Sequence, residues 1–339
     1  MGRSVACIGL RCRPNGSRDG LAQNSEEHRV DRLFRRRCEG LAQSFAIVSA
    51  LLGLSLLGVS LVKLFFGATS SVGQFSSAQA VQGILGAVLV WLGFSGAAKR
   101  FFLNAFAQPS NQVRVFLFPL LVWPFFLFYR FAVEQHGELK VYLRRITEGS
   151  IVEWLSFIFL LFSAWLLWQA VSEWGAWKAK LTGRSFAVLL FVAAMEEMSW
   201  GQMIFNWGTP ELLDSLNRQQ ETNMHNLAVF HDYTWTAFAV IFTLLGVLCA
   251  MRFLLPSSLP FRRHQLATLV LPVSCAFSYF VIAAIIYWGV VLEKSGIDLA
   301  YLHTREQEIA ECLAAIGIFI HCVYLYLQPS QQRSSVQFE

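Results

Sequence analysis

Residues 193–211 read AAMEEMSWGQMIFNWGTPE, and two adjacent acids, Glu196 and Glu197, interrupt an otherwise apolar run. Further polar groups follow at Gln202, Glu221, Asn223, His225 and Asn226, then at His231 and Asp232. Far downstream, Glu308 and Glu311 are spaced i and i+3, which puts them on one face of a helix. Carboxylates, imidazoles and amides in one pocket support two chemistries. A carboxylate–imidazole set can hold a divalent metal and activate its water; Glu197, His225 and Glu311 are the ligands that reading selects. A buried Glu tuned by its surroundings can instead serve as a general base without metal. Glu196, Glu197, His225 and Glu311 are therefore the candidate catalytic residues, supported by Gln202, Asn223, Asn226, His231, Asp232 and Glu308. There is no HExxH and no paired Cys, so the spacing matches no familiar zinc motif. The competing reading is a polar network that only holds helices together. Glu153 reads as an interfacial acid and His321 as a core histidine bonded to its surroundings.

The elements that carry these residues belong to a membrane protein. The chain has 339 residues, 55% of them hydrophobic and 14% charged, with 30 Phe and 11 Trp. Its mean hydropathy is +0.48. A soluble domain usually carries about a quarter charged residues. Segments of roughly 20 apolar residues are long enough to cross a bilayer as helices. Eight are expected, over 43–66, 80–97, 113–133, 151–174, 184–206, 229–254, 266–291 and 307–328. The fold class is thus an all-α polytopic bundle over 43–328, between a basic tail at 1–42 and a short polar tail at 329–339. Thr209 and Pro210 suit a helix start, so 210–218 is expected as a short interfacial helix between spans five and six. It would return the chain over the mouth of the pocket.

Charge gives the orientation. Nine Arg lie in the first 40 residues, without the apolar run that a signal peptide needs. With that tail inside, 19 basic residues fall on the inner side and seven on the outer. Both termini of this integral membrane protein are then cytoplasmic by the positive-inside rule. Parity places Glu153, the end of span five, the loop 207–228 and the start of span eight on one side. If span five is continuous, Glu197 lies roughly 14 Å below that surface, from the helical rise per residue. A charge so placed is costly, and intramembrane acids usually mark function. The seven Cys form no CxxC, and neither a disulfide framework nor a zinc ribbon is indicated. No fold motif in the tail points to nucleic acid.

The run EEMSWGQMIFNW, followed by N-QQETNMHNL, resembles a pattern in uncharacterised bacterial polytopic membrane proteins, EE-x-S-W-G-Q and then N-x-Q-x-E-x-N-x-H-N. The positions that match are Glu196, Glu197, Ser199, Trp200, Gly201, Gln202, Asn217, Gln219, Glu221, Asn223, His225 and Asn226. The paired Glu is also similar to the EE-x-x-x-R motif of the CAAX-protease and bacteriocin-processing intramembrane family. Gly201 stands where that family has Arg, and its later histidine motifs are not matched. The likeness is one of site composition, and the bacterial proteins it points to make the bacterial inner membrane the expected location.

The expected function is hydrolysis of a lipid-linked or membrane-embedded substrate, with membrane lipid as the surrounding partner. A divalent metal is the cofactor this chemistry would take. One alternative is a transporter or proton relay, which also uses midplane acids. Against it, the sequence shows no inverted repeat and no pair of broken helices. Another alternative is a non-catalytic membrane assembly protein with a structural polar cluster.

Overall fold

The computed structural model describes residues 109–135, 150–205, 207–211, 228–255, 265–297 and 306–328, with single positions among 43–91 and at 137, 142, 146 and 222. The tails, most of the expected spans 43–66 and 80–97, and residues 212–221 and 223–227 lie outside the described residues. Among the described residues every regular element is helical. The helices are α1 (Pro109–Gln135), α2 (Ile151–Ser172), α3 (Trp177–Glu197), the single turn α4 (Gln202–Phe205), α5 (Ala228–Leu254), α6 (Gln265–Val270), α7 (Phe277–Lys294) and α8 (Gln307–Leu327).

Five stretches are long and apolar enough to cross a membrane: Gln112–Gln135, Ile151–Ser172, Tyr233–Leu254, Gln265–Lys294 and Gln307–Leu327. The chain is a helical integral membrane protein. A helix satisfies its own backbone groups, which hydrocarbon cannot do for it. α1 stays helical through Pro119 and Pro124. Large apolar side chains on α1, α3 and α5 face outward, among them Leu121, Phe128, Leu189 and Leu244. In lipid these are ordinary surface residues.

α8 is the centre of the bundle. It packs on α2 on one side and on α7 on another, while α3 packs on α2, and α5 and α1 pack on α7. Small residues make the close approaches, as expected where packing rather than water drives association. A Cβ on Gly317 of α8 would come 3.0 Å from the Phe280 ring of α7. Gly183 of α3 leaves no room for a side chain against Val171 of α2. One apolar core lies mainly between α2, α3 and α8, and a second mainly between α5, α7 and α8.

Two expected spans are not continuous helices. The span expected over 266–291 is α6, a break at 271–273, a 3₁₀ turn Ser274–Ala276, and α7. Pro272 sits in the break and has no N–H to continue the ladder. Carbonyls around the break find side-chain donors. His321 Nε2 lies 2.9 Å from Leu269 O, Arg252 Nη1 donates to Leu271 O at 2.7 Å, and Cys249 Sγ lies 3.7 Å from Val273 O. Such recapture allows a broken helix inside a bundle, and it accounts for His321 as a core residue.

The span expected over 184–206 is also interrupted, and this corrects the depth inferred for the acids. α3 ends at Glu197, because Ser199 (φ 44°), Trp200 (φ 55°) and Gly201 (φ 93°) turn the backbone left-handed before α4 begins. Glu197 is the last residue of its helix rather than nine residues inside it. Lys178, Lys180 and Arg184 in its first half make α3 more polar than the five span-length stretches, and it is not among them.

Candidate functional site

One end of the bundle gathers the end of α3 and the starts of α2 and α8. Glu153 lies in the first turn of α2 and Glu308 in the first turn of α8, with Glu311 one turn further on. Glu197 arrives from the end of α3. It lies within electrostatic reach of Glu311, Glu308, Glu153 and Glu196. Glu153 and Glu308 are buried, while Glu196, Glu197 and Glu311 are half-buried. Like charges gathered at one end of an apolar bundle disfavour one another's ionised forms.

α7 supplies a hydroxyl. The phenolic O–H of Tyr287 donates to Glu311 Oε1. Tyr287 is buried in an aromatic box, with ring centroids 5.3 Å from Phe242, 5.5 Å from Phe238 and 6.2 Å from Trp235. That packing aims the phenol at α8. Nearby, Ser156 Oγ donates to Val152 O at 3.2 Å within α2, beside the Cys312 thiol of α8.

Glu196 is held differently. The indole N–H of Trp200 donates to Glu196 Oε1 at 2.5 Å. Trp200 itself lies in the left-handed turn, and left-handed backbone at a non-glycine residue costs about 1–2 kcal/mol. Gly201 suits its own place in that turn; a Cβ there would meet the Trp207 ring at 3.2 Å and the Phe205 ring at 3.4 Å. Those two rings stack at 5.5 Å. Gln202 then ties down the returning chain: its Nε2 donates to Thr209 Oγ1 at 2.9 Å, and its Oε1 accepts the Thr222 N–H at 2.7 Å.

A separate ionic group lies two residues before Glu308. Glu306 is 0% exposed. Its Oε1 accepts from Arg130 Nη1 of α1 at 3.2 Å and from the Tyr142 O–H at 3.2 Å. Arg130 Nε also lies 3.9 Å from Glu134. Burial foremost, then the Glu306 charge and hydrogen bond, holds the Tyr142 phenol well above its usual range.

Of the residues selected from sequence, Glu197, Glu308 and Glu311 come together, with Glu153 as a fourth acid of the same cluster. Glu196 turns to Trp200, and Gln202 anchors the following loop. Asn223, His225 and Asn226 lie outside the described residues, as do the side chains of His231 and Asp232 in the first turn of α5. Among the described residues no three His, Cys, Asp or Glu side chains are placed to hold a metal ion. The expected metal set therefore depends on His225, outside them. Sequence reasoning did not select Tyr287, Trp200, Arg130 or Tyr142. Arg130 carried a readable signal, since an Arg inside an apolar run needs a partner.

These features define a class: a helical integral membrane protein with clustered carboxyls at one end of its bundle. No protein-family model, curated protein or solved structure matches the chain.

Proposed function

We propose that this protein is an intramembrane hydrolase in which Glu197 and Glu311 serve as general acid and base on a lipid-linked or membrane-embedded substrate. The observation that carries this reading is the opposition of Glu197 on α3 to Glu311 on α8, with the Tyr287 hydroxyl on Glu311. Two carboxyls sharing a proton can deprotonate water with one member and protonate the leaving group with the other. The half-buried state of both leaves room for water to reach them. In the metal-dependent form of this reading, Glu197, Glu311 and His225 are the ligands and a divalent cation activates the water.

The rest of the proposal follows from the sequence. The bundle has eight spans in the bacterial inner membrane with both termini cytoplasmic. The 210–218 helix lies at the interface and brings Asn223, His225 and Asn226 over the carboxyls. Gln202, bonded to Thr209 and Thr222, supports that return of the chain.

The test is turnover of bacterial membrane lipid extract by purified protein, followed by mass spectrometry, with metal analysis of the same samples. Loss of a general acid or base typically costs about 10²–10⁴-fold. Glu197→Gln and Glu311→Gln should lose product formation to that extent with unchanged protein abundance. Product formed equally by all three proteins overturns the reading. Metal bound to wild type and lost from Glu197→Gln selects the metal-dependent form.

One observation favours the alternative of a proton or cation relay. The break at 199–201 follows Glu197, near the start of α8, and that at 271–273 follows Leu269, which meets His321 late in α8, and discontinuous helices line ion paths in transporters. Proteoliposomes that dissipate a pH gradient in a Glu197-dependent way, without lipid turnover, would select it. Unchanged behaviour of both Gln variants in both assays would leave a non-catalytic assembly role.

A further inference from the structure

Three cations stand at the end of α3 far from the carboxyls. α3 begins beside the end of α2, and Lys178, Lys180 and Arg184 lie in its first half. None of the three makes an ion pair or a side-chain hydrogen bond among the described residues. Two of them meet aromatic rings instead. Lys178 Nζ lies 5.9 Å from the centre of the Trp177 ring, and Arg184 Cζ lies 4.9 Å from that of Trp168 on α2. A ring face attracts a cation and leaves its charge in place.

Arg184 sits deepest. It lies two turns into α3, about 10 Å below Trp177 by helical rise, and every residue from Phe186 to Met195 is apolar. Gly183, just before it, lets α3 close on Val171 of α2, and Arg184 reaches Trp168 across the same helix contact. Its Nε is buried there without a hydrogen-bond partner. An Arg at such a depth needs an anion. A second observation is the surface beside it. Trp177, Leu181, Arg184, Val188 and Phe191 recur at i, i+4, i+7, i+11 and i+14, which is one face of a helix. The four apolar members are exposed, whereas Ala179, Gly183, Ala187 and Ala194 are buried on another face. Cationic groups thus head an apolar track that runs along the helix, with the exposed Trp168 ring at its side.

We propose that this face of α3, with Trp168 of α2, is a binding site for an anionic phospholipid, whose phosphate is held by Arg184 and Lys180 and whose acyl chain lies along Leu181, Val188 and Phe191. Charge selects the headgroup. Cations without acid partners favour a net negative lipid, as basic pockets between membrane helices do, over a zwitterionic one whose own ammonium they repel. The apolar track selects a lipid over free phosphate, which has nothing to lay on it. Helical rise puts Glu197 about 20 Å further along α3. The site therefore stands whether or not the carboxyls catalyse a reaction.

The test is native mass spectrometry of the full chain released from detergent, with phosphatidylglycerol, phosphatidylethanolamine or glycerol phosphate added. A phosphatidylglycerol with a photoreactive acyl chain maps the contact. Wild type should retain phosphatidylglycerol at least several-fold better than phosphatidylethanolamine, and photo-adducts should fall on α3 between Leu181 and Phe191. Arg184→Gln and Lys180→Gln should each weaken retention about fivefold, the effect of one basic residue at an anionic membrane surface. Lys180→Gln, in the first turn, carries the test if Arg184→Gln fails to fold. Lys294→Gln is the control. It removes a cation that also lies over a ring, 3.9 Å from the centre of Trp235, but at the end of α7, and it should retain the lipid as wild type does. Equal retention of the two lipids by wild type overturns the proposal, as does equal loss in Lys294→Gln and Lys180→Gln. Glycerol phosphate held as tightly as the lipid would make this a site for soluble anions and overturn it too. Cross-linking of Leu181→Cys to a second copy, or to residues 43–97 of its own chain, in place of the lipid would do the same.

Discussion

Arg130, near the end of α1, places Nη1 3.2 Å from Oε1 of Glu306, whose side chain is wholly buried just before α8. The pair joins helices whose sequence positions are 176 apart. It fixes the start of the central helix, and so the height at which Glu308 and Glu311 meet Glu197. Removing one member of a buried pair strands the other charge, which typically costs about 3–5 kcal/mol. Arg130→Met and Glu306→Leu should each destabilise the protein by about that amount, as seen in denaturant titration of purified protein. The double variant should recover much of the loss, because no lone charge remains. Single variants as stable as wild type would show that the pair does not hold α8.

Tyr142 shares the same acceptor, and its phenol is held well above the usual tyrosine range by burial and by Glu306. The folded state therefore binds this proton more tightly than the unfolded chain, where a tyrosine titrates near 10. Its stabilising contribution is complete below about pH 10 and is lost as pH climbs beyond that toward the folded value. The stability difference between wild type and Tyr142→Phe should accordingly be constant from neutral pH to about 9 and shrink by about pH 11. A difference that grows with pH would contradict this placement of the phenol.

Topology can be checked without an activity. The chain runs through α5 between positions near 215 and near 262, so cysteines introduced at the two should label from opposite sides of the membrane. Labelling of both from one side would remove α5 as a crossing helix.

The long apolar runs were legible because hydrocarbon leaves the backbone few options. The starts of α2 and α8 fall at the residues expected from composition. The alternation of helix direction puts the end of α3 and the start of α8 on one side, whereas the placing of Glu311 relative to Glu197 depends on both helices packing on α2. The breaks were harder. Pro272 and Gly201 were visible hints, but the left-handed backbone also takes in Ser199 and Trp200, residue types that rarely adopt it and so gave no signal. Tyr287 carried no signal at all. Its partner Glu311 is 24 positions away, and a tyrosine in an apolar helix is an ordinary packing residue until a neighbouring helix supplies the acceptor.

Tyr287 also offers the sharpest separation of chemistry from packing. Its ring is gripped by Trp235, Phe238 and Phe242, and phenylalanine fills the same box. Tyr287→Phe removes only the hydroxyl that donates to Glu311. A hydrogen bond to a charged group contributes about 1.5–3 kcal/mol. If that contribution is made in the transition state, its loss slows turnover roughly 10–100-fold. Lipid turnover should fall by that factor in kcat with little change in KM, while denaturant titration shows a smaller change in stability than for the Arg130 and Glu306 single variants. Glu311→Gln combined with Tyr287→Phe should be no worse than Glu311→Gln alone, because both changes act through one carboxyl. Full activity in Tyr287→Phe would show that Glu311 needs no hydroxyl to work. A multiplicative loss in the double variant would give Tyr287 a role apart from Glu311.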